Sequence, residues 1–130
     1  MKRNPKVIIL LISATLFLFL GTYAIRYYLS ASSDSMLLKV NIIESHLSNG
    51  SINQAENEAK TLMLQWEETE KKWTLFTNHH EIDNITTSLK NTIAFIKFKD
   101  IPNSMANLEA LRHYIEHIPI MEEVTLRNIL

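Results

Sequence analysis

The chain has 130 residues, enough for one domain and an appended segment, and its composition excludes several classes of protein. It has no cysteine, which excludes disulfide bonds, thiolate metal sites and cysteine catalysis. Two glycines and three prolines are too few for a turn-rich β fold or a glycine-rich phosphate loop. Residues 1–28 carry four basic residues and no acid, so the remainder holds nine basic and fourteen acidic residues. An acidic body without a basic stripe argues against nucleic-acid binding.

The N-terminal segment has the properties of a membrane span. Residues 7–25, VIILLISATLFLFLGTYAI, form a run of nineteen residues without a charge, about the length that crosses a bilayer core. Tyr23, Tyr27 and Tyr28 at its end are typical of an interfacial aromatic belt. Lys2, Arg3 and Lys6 precede the run and only Arg26 follows it, so the positive-inside rule predicts a cytoplasmic N-terminus and an extracytoplasmic body. The sequence therefore predicts a single-pass signal-anchor.

The alternative for this segment is a signal peptide that is cleaved, which would release the body as a secreted protein. Small residues suited to a peptidase occur at Thr22 and Ala24, or at Ser30 and Ser32. The length of the apolar run and the bulky residues 27–29 favour the uncleaved anchor. Both alternatives place the body outside the cytoplasm.

The rest of the chain has the apolar spacing of amphipathic helices. Residues 29–35 are polar and predict a linker, Asn49-Gly50 predicts the end of a helix, and Ser51 with Gln54 predicts a capping box that opens the next one. In each predicted core stripe, successive residues are three or four positions apart. The stripes are Met36, Val40, Ile43 and Leu47; Ile52, Ala55, Ala59, Leu62, Trp66, Thr69, Trp73 and Phe76; Ile82, Ile85, Leu89, Ile93 and Ile96; and Ile101, Ser104, Leu108, Leu111, Ile115 and Ile118.

The two tryptophans share one heptad position, which indicates structural core residues rather than a ligand cage. Asp100 is predicted to cap the last long helix, and Pro119 to end or kink it before a short piece with Met121 and Val124. A shift of 49 residues superimposes caps and stripes, which indicates two successive αα-hairpins. The predicted fold is all-α: a transmembrane helix (1–28), a linker (29–35) and an up-down four-helix bundle (36–130).

The segment WEETEKKWTLFTNHHEID carries the histidines and acids that most resemble a chemical site. The apolar spacing breaks after Phe76, so a helix is predicted to end between Thr77 and His79. Asn78 and Glu81 then occupy the positions of a capping box, a structural role. The sequence therefore favours a helix corner over a catalytic site.

Two pairs of side chains are weak candidates for metal binding, because residues four apart on a helix can chelate together. They are His79 with Asp83, and His113 with His117. Neither pair belongs to a known zinc motif. We expect no catalytic residue, no bound metal and no cofactor.

The anchor, the pattern from Trp73 to HHEID, the stretch KDIPNSMANLEAL and the terminal NIL resemble a family of unknown function, DUF4363, found in spore-forming Firmicutes. The resemblance implies a small membrane-anchored protein, often encoded beside multi-pass membrane proteins. It implies no activity for Trp73, His80, Glu81 or Asp83, and His79 and Pro119 are expected to be peculiar to this member.

Three functions are compatible with these features. The first is a non-enzymatic interaction or scaffold module that is anchored through residues 7–25 and binds a membrane protein partner. The second is an extracytoplasmic sensor or ligand-binding bundle, although only six residues precede the span to carry an output. The third is a metal-dependent hydrolase, which lacks a ligand motif. We expect the first, and hence no enzymatic activity.

Overall fold

The computed structural model describes the backbone of residues 4–129 and the side-chain environment of residues 4–120. Within that range the chain is helical and has no strand; the helices are α1 (Pro5–Ser48), α2 (Ile52–Trp73), α3 (His79–Lys97) and α4 (Ile101–Ile129). Lys2 and Arg3, on which the topology prediction partly depends, lie outside the described residues, as do the side chains of Met121 and Val124.

The helices pack in a ring, in which α1 contacts α2 and α4, and α3 contacts the same two helices. Consecutive helices are joined by short turns and lie side by side, which is the topology of an up-down four-helix bundle. The predicted all-α fold is therefore confirmed. The N-terminal half of α1 extends beyond the bundle.

The core consists largely of the predicted stripes, because a period of three and four keeps one face of each helix towards its neighbours. Ile52, Ile93 and Ile101 are only partly buried at its edge. Phe76 is 37% exposed, because α2 ends at Trp73 and the helical period stops there. The core also contains residues outside the predicted stripes: Leu29, Ser33, Ser88 and Thr92.

The α1–α2 and α3–α4 turns are built alike, as the 49-residue shift predicts. At the first, the amide of Gly50 donates to Leu47 and that of Ser51 to His46; at the second, the equivalent donors and acceptors are Lys99 to Ile96 and Asp100 to Phe95. This is the hydrogen-bond pattern of a Schellman motif. Its left-handed position is taken by Gly50 at φ 76° and by Lys99 at φ 57°.

The caps at the starts of α2 and α4 differ. Asp100 accepts from the amide of Asn103 at 3.2 Å, in agreement with its predicted role. The predicted capping box of Ser51 and Gln54 is wrong: the Ser51 side chain makes no capping bond. Its ψ of 65° departs from the extended conformation of an N-cap residue.

The predicted linker at residues 29–35 is helical and belongs to the uninterrupted helix α1. Three of its serines do not cap a helix, because their hydroxyl groups bond to neighbouring helices or to the backbone of α1. Ser32 accepts from the indole of Trp73 at 2.9 Å, Ser33 donates to a backbone carbonyl of α4 at 3.1 Å, and Ser35 accepts from Gln65 at 2.9 Å. The bundle therefore begins at or before Leu29, upstream of the predicted boundary at residue 36.

Pro119 lies inside α4, and the helix continues to Ile129 rather than ending near it. Proline has no amide hydrogen, so the carbonyl four residues earlier, that of Ile115, lacks its usual partner. The hydroxyl of Ser33 donates to that same carbonyl. A side chain of α1 thus replaces the missing backbone hydrogen bond, which helps to explain how α4 continues through a proline.

The N-terminal half of α1 is an apolar helix with its surface exposed. It contains an 18-residue window of mean hydropathy 2.3, none of which is buried within the protein. An exposed apolar surface of that length is typical of a membrane span, and a signal sequence has the same properties. Among the described residues, one helix is long enough and apolar enough to cross a bilayer, and it is α1.

Candidate functional site

The corner between α2 and α3 lies beside the end of the apolar half of α1. Residues 74–78 connect the two helices, and Asn78 caps α3 by accepting from the amide of His80 at 2.9 Å. Glu81 does not complete the predicted capping box, because no hydrogen bond joins its carboxylate to the Asn78 amide among the described residues. Glu81 remains in the first turn of α3, where a carboxylate complements the helix dipole.

The histidines of the corner do not converge on an acid. His79, His80 and Asp83 are exposed, and Glu81 is half-buried. Across residues 4–120 no group of three histidines or acids could hold a metal ion. These side chains surround the N-cap of α3 in contact with solvent, and they do not enclose a site for a reaction.

The second histidine pair lies on the outer side of α4. The rings of His113 and His117 are stacked, with centroids 5.7 Å apart and planes 18° from parallel. His113 is exposed and His117 is half-buried. In the described part of the chain, neither an acid nor another histidine joins them as a third ligand.

The two tryptophans are fully buried and pack edge to face, with centroids 5.6 Å apart. The indole N–H of Trp66 donates to Thr86 at 2.8 Å, and that of Trp73 donates to Ser32 at 2.9 Å. A buried indole N–H usually finds such a partner. Ser32 and Thr86 were not identified from the sequence as partners of the tryptophans. The signal available was that each buried indole N–H needs a hydrogen-bond acceptor.

An apolar groove of about 380 Å³ runs between α1 and the corner. Its lining residues come from α1, from the end of α2 and from the segment that connects α2 with α3: Ala24, Ile25, Tyr28, Lys72, Leu75 and Phe76. The ammonium of Lys72 lies 5.5 Å from the centre of the Tyr28 ring, within the range of a cation–π interaction. Leu75 is 75% exposed.

The lysines at the end of α2 differ in their partners. Lys71 is paired with Glu68 at 2.8 Å, and this hydrogen bond lowers the pKa of Glu68 and raises the pKa of Lys71. Both side chains are solvent-exposed, so the pair adds little stability. Lys72 instead places its charge over Tyr28, at the rim of the groove.

The family resemblance of the sequence motifs was tested by comparing the chain with models of known families. The model of DUF4363, a domain of unknown function, matches residues 23–129. The chain belongs to the DUF4363 family. The DUF4363 match covers the whole described bundle and starts in the last residues of the apolar run, so the resemblance inferred from the sequence is confirmed. No curated protein and no solved structure matches the chain.

Proposed function

We propose that the protein is a non-enzymatic, membrane-anchored module whose bundle lies on the extracytoplasmic side and binds a membrane protein partner. The observation that carries the proposal is the construction of α1. One uninterrupted helix supplies both an exposed apolar half and a core helix of the bundle. The bundle is therefore held close to the bilayer, where a membrane protein is the most accessible partner.

The chemistry of the described side chains supports binding rather than catalysis. The tryptophans fill the core, and the exposed histidines lack converging acids. A general base or a metal ligand set needs groups within hydrogen-bonding or coordination distance of one reacting atom. The surface offered to a partner is instead a set of helix faces held in fixed relation to the anchor.

Sidedness is tested by fusing alkaline phosphatase or a fluorescent protein to Leu130 in a bacterial host. The proposal predicts an active phosphatase and a dark fluorescent protein, because phosphatase folds outside the cytoplasm and the fluorescent protein inside it. The reverse pattern would refute the extracytoplasmic placement. Immunoblotting of the fusion also tells an anchored chain from a cleaved one by its size.

Binding is tested by purifying the tagged full-length protein from membranes in mild detergent. The control is a chimera that keeps residues 1–28 and carries an unrelated helical bundle in place of the rest. A membrane protein enriched with the native chain and absent with the chimera supports a partner of the bundle. Equal recovery of a membrane protein with both would mean that contact is made through the span and not through the bundle. Recovery of no membrane protein with either would refute the scaffold function.

A further inference from the structure

The corner at residues 74–78 lies beside the part of α1 where the apolar run ends. Leu75 and Phe76 line one groove with Ala24 and Ile25, which belong to the run of nineteen uncharged residues. A bilayer that contains the run must reach the level of Ala24 and Ile25. It therefore reaches the corner.

We propose that this corner is a membrane-contacting surface, which inserts Leu75 and Phe76 into the interfacial region of the bilayer. This inference rests on the proposed anchoring of α1. The surface is defined here as the foot of the bundle: residues 72, 75 and 76, together with Tyr28 of α1.

The composition of the foot is that of an interfacial segment. Leu75 is 75% exposed and Phe76 is 37% exposed, and the two residues line one apolar groove with Ala24 and Ile25 of the apolar run. Lys72 and Tyr28 are residue types that extend an apolar body towards lipid and a polar tip towards the headgroups, and here they contact each other. The acids nearest in sequence are Glu70 of α2, five residues before Leu75, and Glu81 of α3, five residues after Phe76, so no acid lies among residues 71–80.

The opposite end of the bundle supplies a matched control. Phe98, in the α3–α4 turn, is 84% exposed and therefore as accessible as Leu75. It is separated from the foot by the length of α3, 19 residues, or about 28 Å at 1.5 Å per residue. A label at Phe98 should thus remain in water when one at Leu75 enters lipid.

The chain has no cysteine, so one residue at a time can be labelled in the full-length protein. Three variants, Leu75→Cys, Phe98→Cys and Leu18→Cys, would carry an environment-sensitive fluorophore. Each protein is placed in nanodiscs of phosphatidylcholine and phosphatidylglycerol, which expose both faces. Quenching is measured with doxyl-labelled lipids and with aqueous iodide. All three side chains are exposed, so labelling leaves the core intact.

The expected result is blue-shifted emission and lipid quenching at residue 75 that approach those at residue 18, with iodide quenching confined to residue 98. If residue 18 is quenched by lipid but residues 75 and 98 respond alike, the foot is refuted and the anchor stands. If residue 75 is shielded from both quenchers, a protein covers it, and the lipid contact is again refuted. If residue 18 is not quenched by lipid, the anchoring itself is refuted, and this inference falls with it.

Discussion

The hydrogen bond between Ser33 and the Ile115 carbonyl can be tested as a substitute for the one that Pro119 removes. Ser33 is 3% exposed and its hydroxyl lies 3.1 Å from that carbonyl oxygen. Ser33→Ala leaves a buried carbonyl without a donor, which costs about 1–3 kcal/mol of unfolding free energy. The substitution itself is small and creates almost no cavity, so the loss is attributable to the hydrogen bond.

The second variant in this test is Pro119→Ala, which returns an amide to position 119. A proline inside a helix is about 3 kcal/mol less favourable than alanine. Since the Ser33 bond offsets about 1 kcal/mol of that penalty, Pro119→Ala should stabilise the bundle by about 2 kcal/mol. In this background the Ile115 carbonyl has a backbone donor, and Ser33→Ala should then have little effect.

The four proteins of this double-mutant cycle are compared as full-length chains in detergent, by denaturant unfolding followed through tryptophan fluorescence. Both tryptophans are buried, so their emission reports on the core. The expected coupling between the two positions is about 1–2 kcal/mol, within the usual range for residues that share a partner. An equal loss from Ser33→Ala in both backgrounds would refute the compensation.

Three further predictions concern the core, a turn and the corner. Trp73→Ala should lower the unfolding free energy by about 3–5 kcal/mol, because it leaves a large cavity; an unchanged melting temperature would contradict the bundle register. Lys99→Gly should raise it by about 1 kcal/mol by relieving a left-handed non-glycine residue, whereas Gly50→Lys should lower it by a similar amount. Asn78→Ala should lower stability by about 1 kcal/mol, and zinc should not restore it. A zinc-dependent rise in melting temperature that disappears in the His79→Ala/His80→Ala protein would instead establish a metal site at the corner.

The helical period predicted most of the core, because each stripe is a local property of ten to twenty residues. The register of Trp66 and Trp73, the break before Asn78 and the turn at Gly50 all follow from neighbours in sequence. The 49-residue correspondence also compares local patterns, one in each half of the chain. The α1–α2 and α3–α4 turns, which it relates, have the same hydrogen bonds. These features required no knowledge of which helices meet.

Two predictions that failed, the linker at residues 29–35 and a helix end at Pro119, depended on distant partners. A run of serines at residues 29–35 favours a linker or a cap by local chemistry, and Pro119 favours a helix end for the same reason. In the structure, Ser33 donates instead to the carbonyl of Ile115, 82 positions away, which is the carbonyl that Pro119 leaves without a backbone donor. Neither feature reveals the other without the fold. Residues 29–35 were therefore predicted to be a linker and Pro119 to end or kink a helix, whereas both lie inside helices.

The continuity of α1 determines what kind of module this bundle is. A flexible linker after the span would let a bundle sample many orientations, and a partner would have to restrict them on binding. Here the serines of residues 29–35 bond to α2 on one side of α1 and to α4 on the other. If α1 is anchored as proposed, its orientation about its axis therefore fixes which bundle faces lie towards the proposed membrane protein partner. Contact of the foot with lipid would further restrict the tilt, so the anchor and the bundle would present one rigid surface to a partner.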